Sequence, residues 1–194
     1  SIIMVRTQLR ISVIMLALFT LLAGLVYPLA VTGMAQLIFP FQANGSLMQR
    51  DGQGIGSQLI GQSFTAPQYF WGRPSATEPF PYNAAASSGS NLASTNPALE
   101  QAIQARIQAL QSADPGNDSP IPVDLVTASA SGLDPHISVA AALYQVPRVA
   151  LRRGLSEAQV RLLVEQYTQA PQFGLLGEPR VNVLMLNLAL DGLQ

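Results

Sequence analysis

The stretch ISVIMLALFTLLAGLVYPLAVTGMAQLIF (residues 11–39) decides how the chain must be read. It carries no charge, and the uncharged run extends from Arg10 to Arg50, thirty-nine residues in all. About twenty apolar residues cross the hydrocarbon core of a bilayer as a helix. A secretion signal has an apolar region of only about 7–15 residues, closed by a small-residue cleavage site. This run is longer and has no such closure. A buried helix of a water-soluble core would rarely lack all charge over this length. The sequence therefore predicts an uncleaved transmembrane helix over residues 11–33, after a short N-terminal segment of residues 1–10.

Pro28 falls inside that span. It removes one backbone donor and crowds the carbonyl four residues earlier, so a helix in lipid must compensate locally. Gly24, Tyr27 and Pro28 are the candidates for a face that meets a partner helix, because small residues let backbones approach closely. Orientation follows from arginines. Arg6 and Arg10 precede the span, and the next positive charge is Arg50. The excess of positive charge before the span predicts a cytoplasmic N-terminus and an extracytoplasmic remainder.

Composition narrows the remainder. The chain has no cysteine and one histidine, and all ten basic residues are arginine. Disulfides, thiolate metal sites and a cysteine nucleophile are excluded. From Gln42 onward eight arginines face eleven acids, which leaves no electrostatic footprint for nucleic acid. Residues 34–56 read as a glycine-rich linker. Gly52, Gly54 and Gly56 lack phosphate-loop spacing, and no lysine is present to complete one.

Residues 57–194 read as one mixed domain of the α+β class, since helices and strands alternate without a βαβ rhythm. The expected elements begin with a strand near 57–64 and an ordered, proline-rich loop over 71–97. Asn96-Pro97 then caps a helix over 98–112. A short strand is expected over 123–127. Asp134-Pro135 repeats the cap signal, placing His136 in the first turn of a helix to Gln145. Pro147 starts another helix, ending at Gly154. Ser156 and Gln159 form a capping box for a helix reaching about 170. A last strand is expected over 180–187.

The candidate chemistry is sparse. LVTASASGLDPHIS (residues 125–138) holds hydroxyls, acids and the lone histidine. A hydrolase could be drawn from Ser129 or Ser131 with His136 and Asp124 or Asp134, but triads are defined by geometry and not by nearness in sequence. One histidine with scattered acids is a poor metal site. Ser87, Ser88, Gly89 and Ser90, within SSGSN, could wrap a phosphate with backbone N–H groups or simply turn. Gln145 could cap a helix, pack, or bind a ligand's polar edge.

A resemblance adds what the residues alone do not name. VYPLAVTGMAQLIFPFQANGSL, GRPSAT, YNAAASSGSNLASTNP, LVTASASGLDPHIS, VPRVA and VNVLMLNLALD stand in order over essentially the full length. In this the chain resembles the C subunit of the bacterial Kdp potassium-transporting P-type ATPase. The resemblance implies a non-catalytic accessory subunit, single-pass in the inner membrane, with a periplasmic domain. It implies as partners a channel-like potassium subunit, an ATP-hydrolysing P-type subunit and a small single-span subunit. It also implies a role in assembly and in promoting ATP binding or coupling. ATP would be met through the complex, with no firmly bound cofactor and no metal. Family residues implicated in nucleotide handling correspond to Gln145 and to Ser87–Ser90. The family segment reads SGGSN where Ser88 stands here, which weakens that implication. The expected topology also sets Gln145 on the side away from cytoplasmic ATP.

Overall fold

The computed structural model describes residues 2–50 and 52–193. The chain forms two compact units, residues 1–47 and 48–194.

The first unit is a helical run from Ile2 to Ile38, apolar and wholly exposed. It comprises α1 (Ile2–Leu21), one π turn (Leu22–Val26) and α2 (Tyr27–Ile38), followed by the short α3 (Pro40–Ala43). The π turn is the compensation that Pro28 demands. A proline cannot donate to Gly24 and crowds its carbonyl. The helix widens just before it, and the Tyr27 N–H donates to Leu22, five residues back.

Next along the chain β1 (Leu47–Arg50), which starts at the last residue of the first unit, pairs with β2 (Gln53–Ser57). The strand expected over 57–64 is therefore displaced. It ends at Ser57, and turns follow. Residues 58–96 contain no helix or strand, yet they are ordered by their own polar groups. Tyr82 donates its hydroxyl to Arg73 O (2.5 Å), Ser75 Oγ to Gly132 O (2.7 Å), and the Asn83 N–H to Thr77 Oγ1 (3.0 Å). Then comes α4 (Pro97–Ala113), where Asn96 accepts from Ala98 N at 2.9 Å as its cap signal predicts.

The core is a three-stranded antiparallel sheet of order β3-β5-β4, covered by helices. Its strands are β3 (His136–Ser138), β4 (Thr168–Gln169) and β5 (Arg180–Asn182), with Ile137 opposite Val181. The helices are α5 (Val139–Arg153), α6 (Glu157–Gln166) and α7 (Val183–Asp191). Val146, Val149, Val160, Val164, Val181, Leu186 and Leu190 are fully buried between them. The mixed α+β class predicted for the domain is what the structure shows.

Four local expectations give way to packing. Residues 123–125 form a 3₁₀ turn, not a strand. His136 lies in β3, because the helix is capped four residues after Asp134, by Ser138, which accepts from Ala141 N at 3.0 Å. Pro147 does not divide α5. The helix runs through it, and Asn117 Nδ2 donates to the Tyr144 carbonyl nearby at 2.9 Å. The expected strand over 180–187 is three residues of β5 and then α7, whose N-cap Asn182 accepts from Met185 N at 3.1 Å. The Ser156–Gln159 capping box is present as predicted, although its helix stops at Gln166.

Candidate functional site

The densest polar constellation is built around a strand-like dipeptide, Phe70-Trp71, which belongs to no sheet. Two helices grip it. From α5, Gln145 Oε1 accepts the Trp71 N–H (2.8 Å) and Gln145 Nε2 donates to Trp71 O (3.1 Å). From α7, Asn187 Oδ1 accepts the Phe70 N–H (2.9 Å) and Asn187 Nδ2 donates to Phe70 O (2.9 Å). The backbone N–H and C=O of both residues are thus completed by side-chain amides, which satisfies groups that burial would otherwise strand.

Three arginines finish the clamp. Arg148 Nη2 donates to Gln145 Oε1 (2.6 Å), and its Nη1 donates to Pro67 O and to Tyr69 O. Its guanidinium lies 4.7 Å from the Trp71 ring centre. Arg106 lies 5.2 Å from the same ring and donates to Gly72 O and Leu125 O, both at 2.9 Å. Arg153 donates to Gln68 O and to Asp191 Oδ1, both at 2.8 Å. Burial pulls the Arg148 guanidinium down to about 10, still cationic at neutral pH. Three carbonyl or amide acceptors and an indole face replace the water it has lost.

Gln145 is 1% exposed. Its remaining donor goes to Ala141 O at 3.2 Å. The oxygen accepts twice and the nitrogen donates twice, so its hydrogen-bonding capacity is filled inside the fold. The side chain positions Trp71 and presents no free polar edge.

Ser87, Ser88, Gly89 and Ser90 lie elsewhere, on the surface. Ser87 Oγ donates to Ser131 O (2.9 Å) and Ser88 Oγ to Ala76 O (3.3 Å). A Cβ on Gly89 would meet Ala130 O at 2.8 Å, so this backbone needs glycine to pass. The segment therefore docks on the 130–132 turn, within LVTASASGLDPHIS. Among the described residues no hydrogen bond joins it to Gln145.

The histidine constellation does not form a triad. His136 Nδ1 stands 3.5 Å from Asp134 Oδ1. Asp124 is committed to Ser138, accepting from its N–H (2.7 Å) and its Oγ (3.1 Å). Ser131 Oγ accepts from Leu133 N (3.1 Å), and Ser129 is buried. Among the described residues no hydrogen bond links His136 to either serine. Asp124, Asp134, His136 and Ser138 border an open cleft of about 640 Å³ together with Arg73, Glu178 and Arg180; neither Ser129 nor Ser131 lines it. Asp134 sits below the usual carboxylate range: burial would raise it, but hydrogen bonds from His136 and the Arg73 charge outweigh that.

Gly24, Tyr27 and Pro28 meet at the π turn of the first unit. Nothing lies within 4 Å of a Cβ built on Gly24, and Tyr27 is exposed. The Phe70–Trp71 clamp escaped the sequence reading. Its one local sign was a cluster of amides and arginines on helices, which is common on solvated faces.

Comparison with known proteins adds the last observation. Residues 9–192 match the family model described as KdpC: K+-transporting ATPase, c chain. Proteins called potassium-transporting ATPase KdpC subunit resemble the chain along nearly their whole length. The Methylococcus capsulatus protein is 63% identical over 94% of this chain and 96% of its own. That of Polaromonas naphthalenivorans is 64% identical over 97% and 96%. That of Methylibium petroleiphilum is 63% identical over 96% and 98%. A folded domain behind one exposed apolar helix, matched along nearly its whole length, places the chain in the KdpC family of potassium-transporting ATPase subunits.

Proposed function

We propose that the chain is an accessory subunit that anchors itself beside its partners through its single span and stabilises the assembled potassium pump from the periplasmic side. Arg6 and Arg10 hold the N-terminus in the cytoplasm. The partners are a channel-like potassium subunit, an ATP-hydrolysing P-type subunit and a small single-span subunit. The span meets them at Gly24, Tyr27 and Pro28, where the π turn leaves backbone uncovered.

The observation that carries this reading is one wholly exposed apolar helix of membrane length joined to a separately packed domain. The chain promotes ATP binding or coupling by shaping the assembly, and ATP is not held by Gln145. That amide has all its partners inside the fold. Among the described residues, Ser87–Ser90 offer hydroxyls with no basic side chain bonded to them, a poor match for triphosphate.

The test uses the absence of native cysteine. Arg152 is exposed on α5, so Arg152→Cys in intact cells can be treated with a membrane-impermeant maleimide. Labelling without lysis is expected. Labelling only after lysis would place the domain in the cytoplasm and overturn the reading.

A further inference from the structure

The loop between β4 and β5 carries what the rest of the domain lacks among the described residues, a sequence cluster of large exposed apolar side chains. Phe173 is 95% exposed, Leu175 85% and Leu176 59%. Other exposed apolar residues of the domain, such as Leu59, Phe80 and Val123, stand singly along the sequence, which is ordinary. Three within four positions on one loop tip are not.

The loop is held in shape by its own backbone. Gln172 and Leu176 exchange N–H to carbonyl bonds of 2.9 Å each, and Gly174 N reaches Pro171 O at 3.0 Å. Phe173, Gly174 and Gly177 take left-handed φ values of +56°, +72° and +85°. With polar groups paired inside the loop, its tip can leave water without stranding them. A preformed shape also lowers the ordering cost of binding.

Charge and area select the occupant. No charged residue lies between Glu165 and Glu178, and Glu178 makes no ion pair among the described residues. The next basic residue, Arg180, turns its Nε to Gln169 Oε1 at 3.3 Å. Acidic flanks without free basic side chains suit an anionic lipid surface poorly. Three side chains offer roughly a few hundred Å², short of the about 1,200–2,000 Å² that a stable interface buries. The tip alone does not make a dimer of this chain. It fits one anchor within a larger contact between unlike chains.

We infer that the loop over residues 171–177 is a preformed apolar knob that seats in an uncharged pocket on another subunit of the transport complex. This rests on the accessory role proposed above. Aromatic and aliphatic anchors at the centre of a contact carry most of its strength, and Phe173 is that anchor.

The test uses the whole complex assembled in its membrane. With Phe173→p-benzoylphenylalanine, irradiation is expected to join this chain to a different subunit. The double variant Phe173→Ser, Leu175→Ser is expected to leave the detergent-solubilised complex about tenfold faster than the unsubstituted chain. Leu151→Ser, equally exposed on α5 at 79%, should leave at the unsubstituted rate. A crosslink to lipid alone, to a second copy of this chain, or to nothing would overturn the knob, as would unchanged retention of the double variant. Retention of the unsubstituted chain tests complex membership separately, so the two failures are told apart.

Discussion

Gln145 and Asn187, on different helices, make the same two-bond grip on the backbone of adjacent residues, Trp71 and Phe70. The dipeptide sits as a strand would, with side-chain amides in place of neighbouring strands. Gln145→Ala would strand the Trp71 N–H and carbonyl and one Arg148 donor in the core. A loss of about 2–4 kcal/mol is expected. Urea unfolding of the full chain in detergent, followed by the fluorescence of the single tryptophan, measures it. Unchanged stability would mean that the amide does not position the loop.

Arg148→Lys tests the other half of the clamp. A lysine ammonium cannot bond Pro67 O, Tyr69 O and Gln145 Oε1 while stacking on Trp71 as the planar guanidinium does. About 2–3 kcal/mol should be lost, with a red shift of tryptophan emission as water enters. Equal stability of the lysine variant would show that charge alone suffices.

Gly132→Ala is expected to destabilise the docking of the serine segment. Its φ is +68°, and a Cβ would meet Ser88 O at 2.6 Å and Thr77 Cγ2 at 2.5 Å. Strain and overpacking together should cost about 2–4 kcal/mol. Protease cleavage within residues 84–95 should accelerate in parallel, and an unchanged cleavage rate would count against the docked arrangement.

Asp134 gives the domain a defined acid limb. Its folded value lies below the ordinary 3.8, so its stabilisation is complete above that value and is lost as pH falls through the folded value. Asp134→Asn should lower stability at neutral pH and flatten its decline below about pH 4. Denaturation midpoints measured from pH 6 to pH 2 check this. Parallel curves for the two proteins would show that the pairing with Arg73 and His136 does not stabilise the fold.

The parts of the structure legible in the sequence are those that a few adjacent residues decide. Asn96-Pro97 and the Ser156–Gln159 box are local hydrogen-bond arrangements and were readable as such. So was Pro28, whose cost to a helix follows from one missing donor. Misreadings arose where distant residues outweighed local preference. His136 is extended because Asn182, far along the chain, pairs with it. Pro147 stays inside a helix because Val146, Val149 and Ala150 are buried around it. VNVLMLN is a short apolar run that reads as a strand, but Val183, Leu186, Asn187 and Leu190 also fall at helical spacing, and burial chose that face. The role of Gln145 was hidden because its partner lies 74 positions away.

The Phe70–Trp71 grip also sets an order of events in time. Its bonds span 74 and 117 positions of sequence. Closing such long loops is entropically costly and slow, so contacts of this kind form after local ones. While the chain is being made, the dipeptide waits for α5 and, later still, for Asn187. Until then Phe70 and Trp71 remain unclaimed apolar surface on a nascent chain. Burial of the indole is therefore a timestamp for completion of the domain.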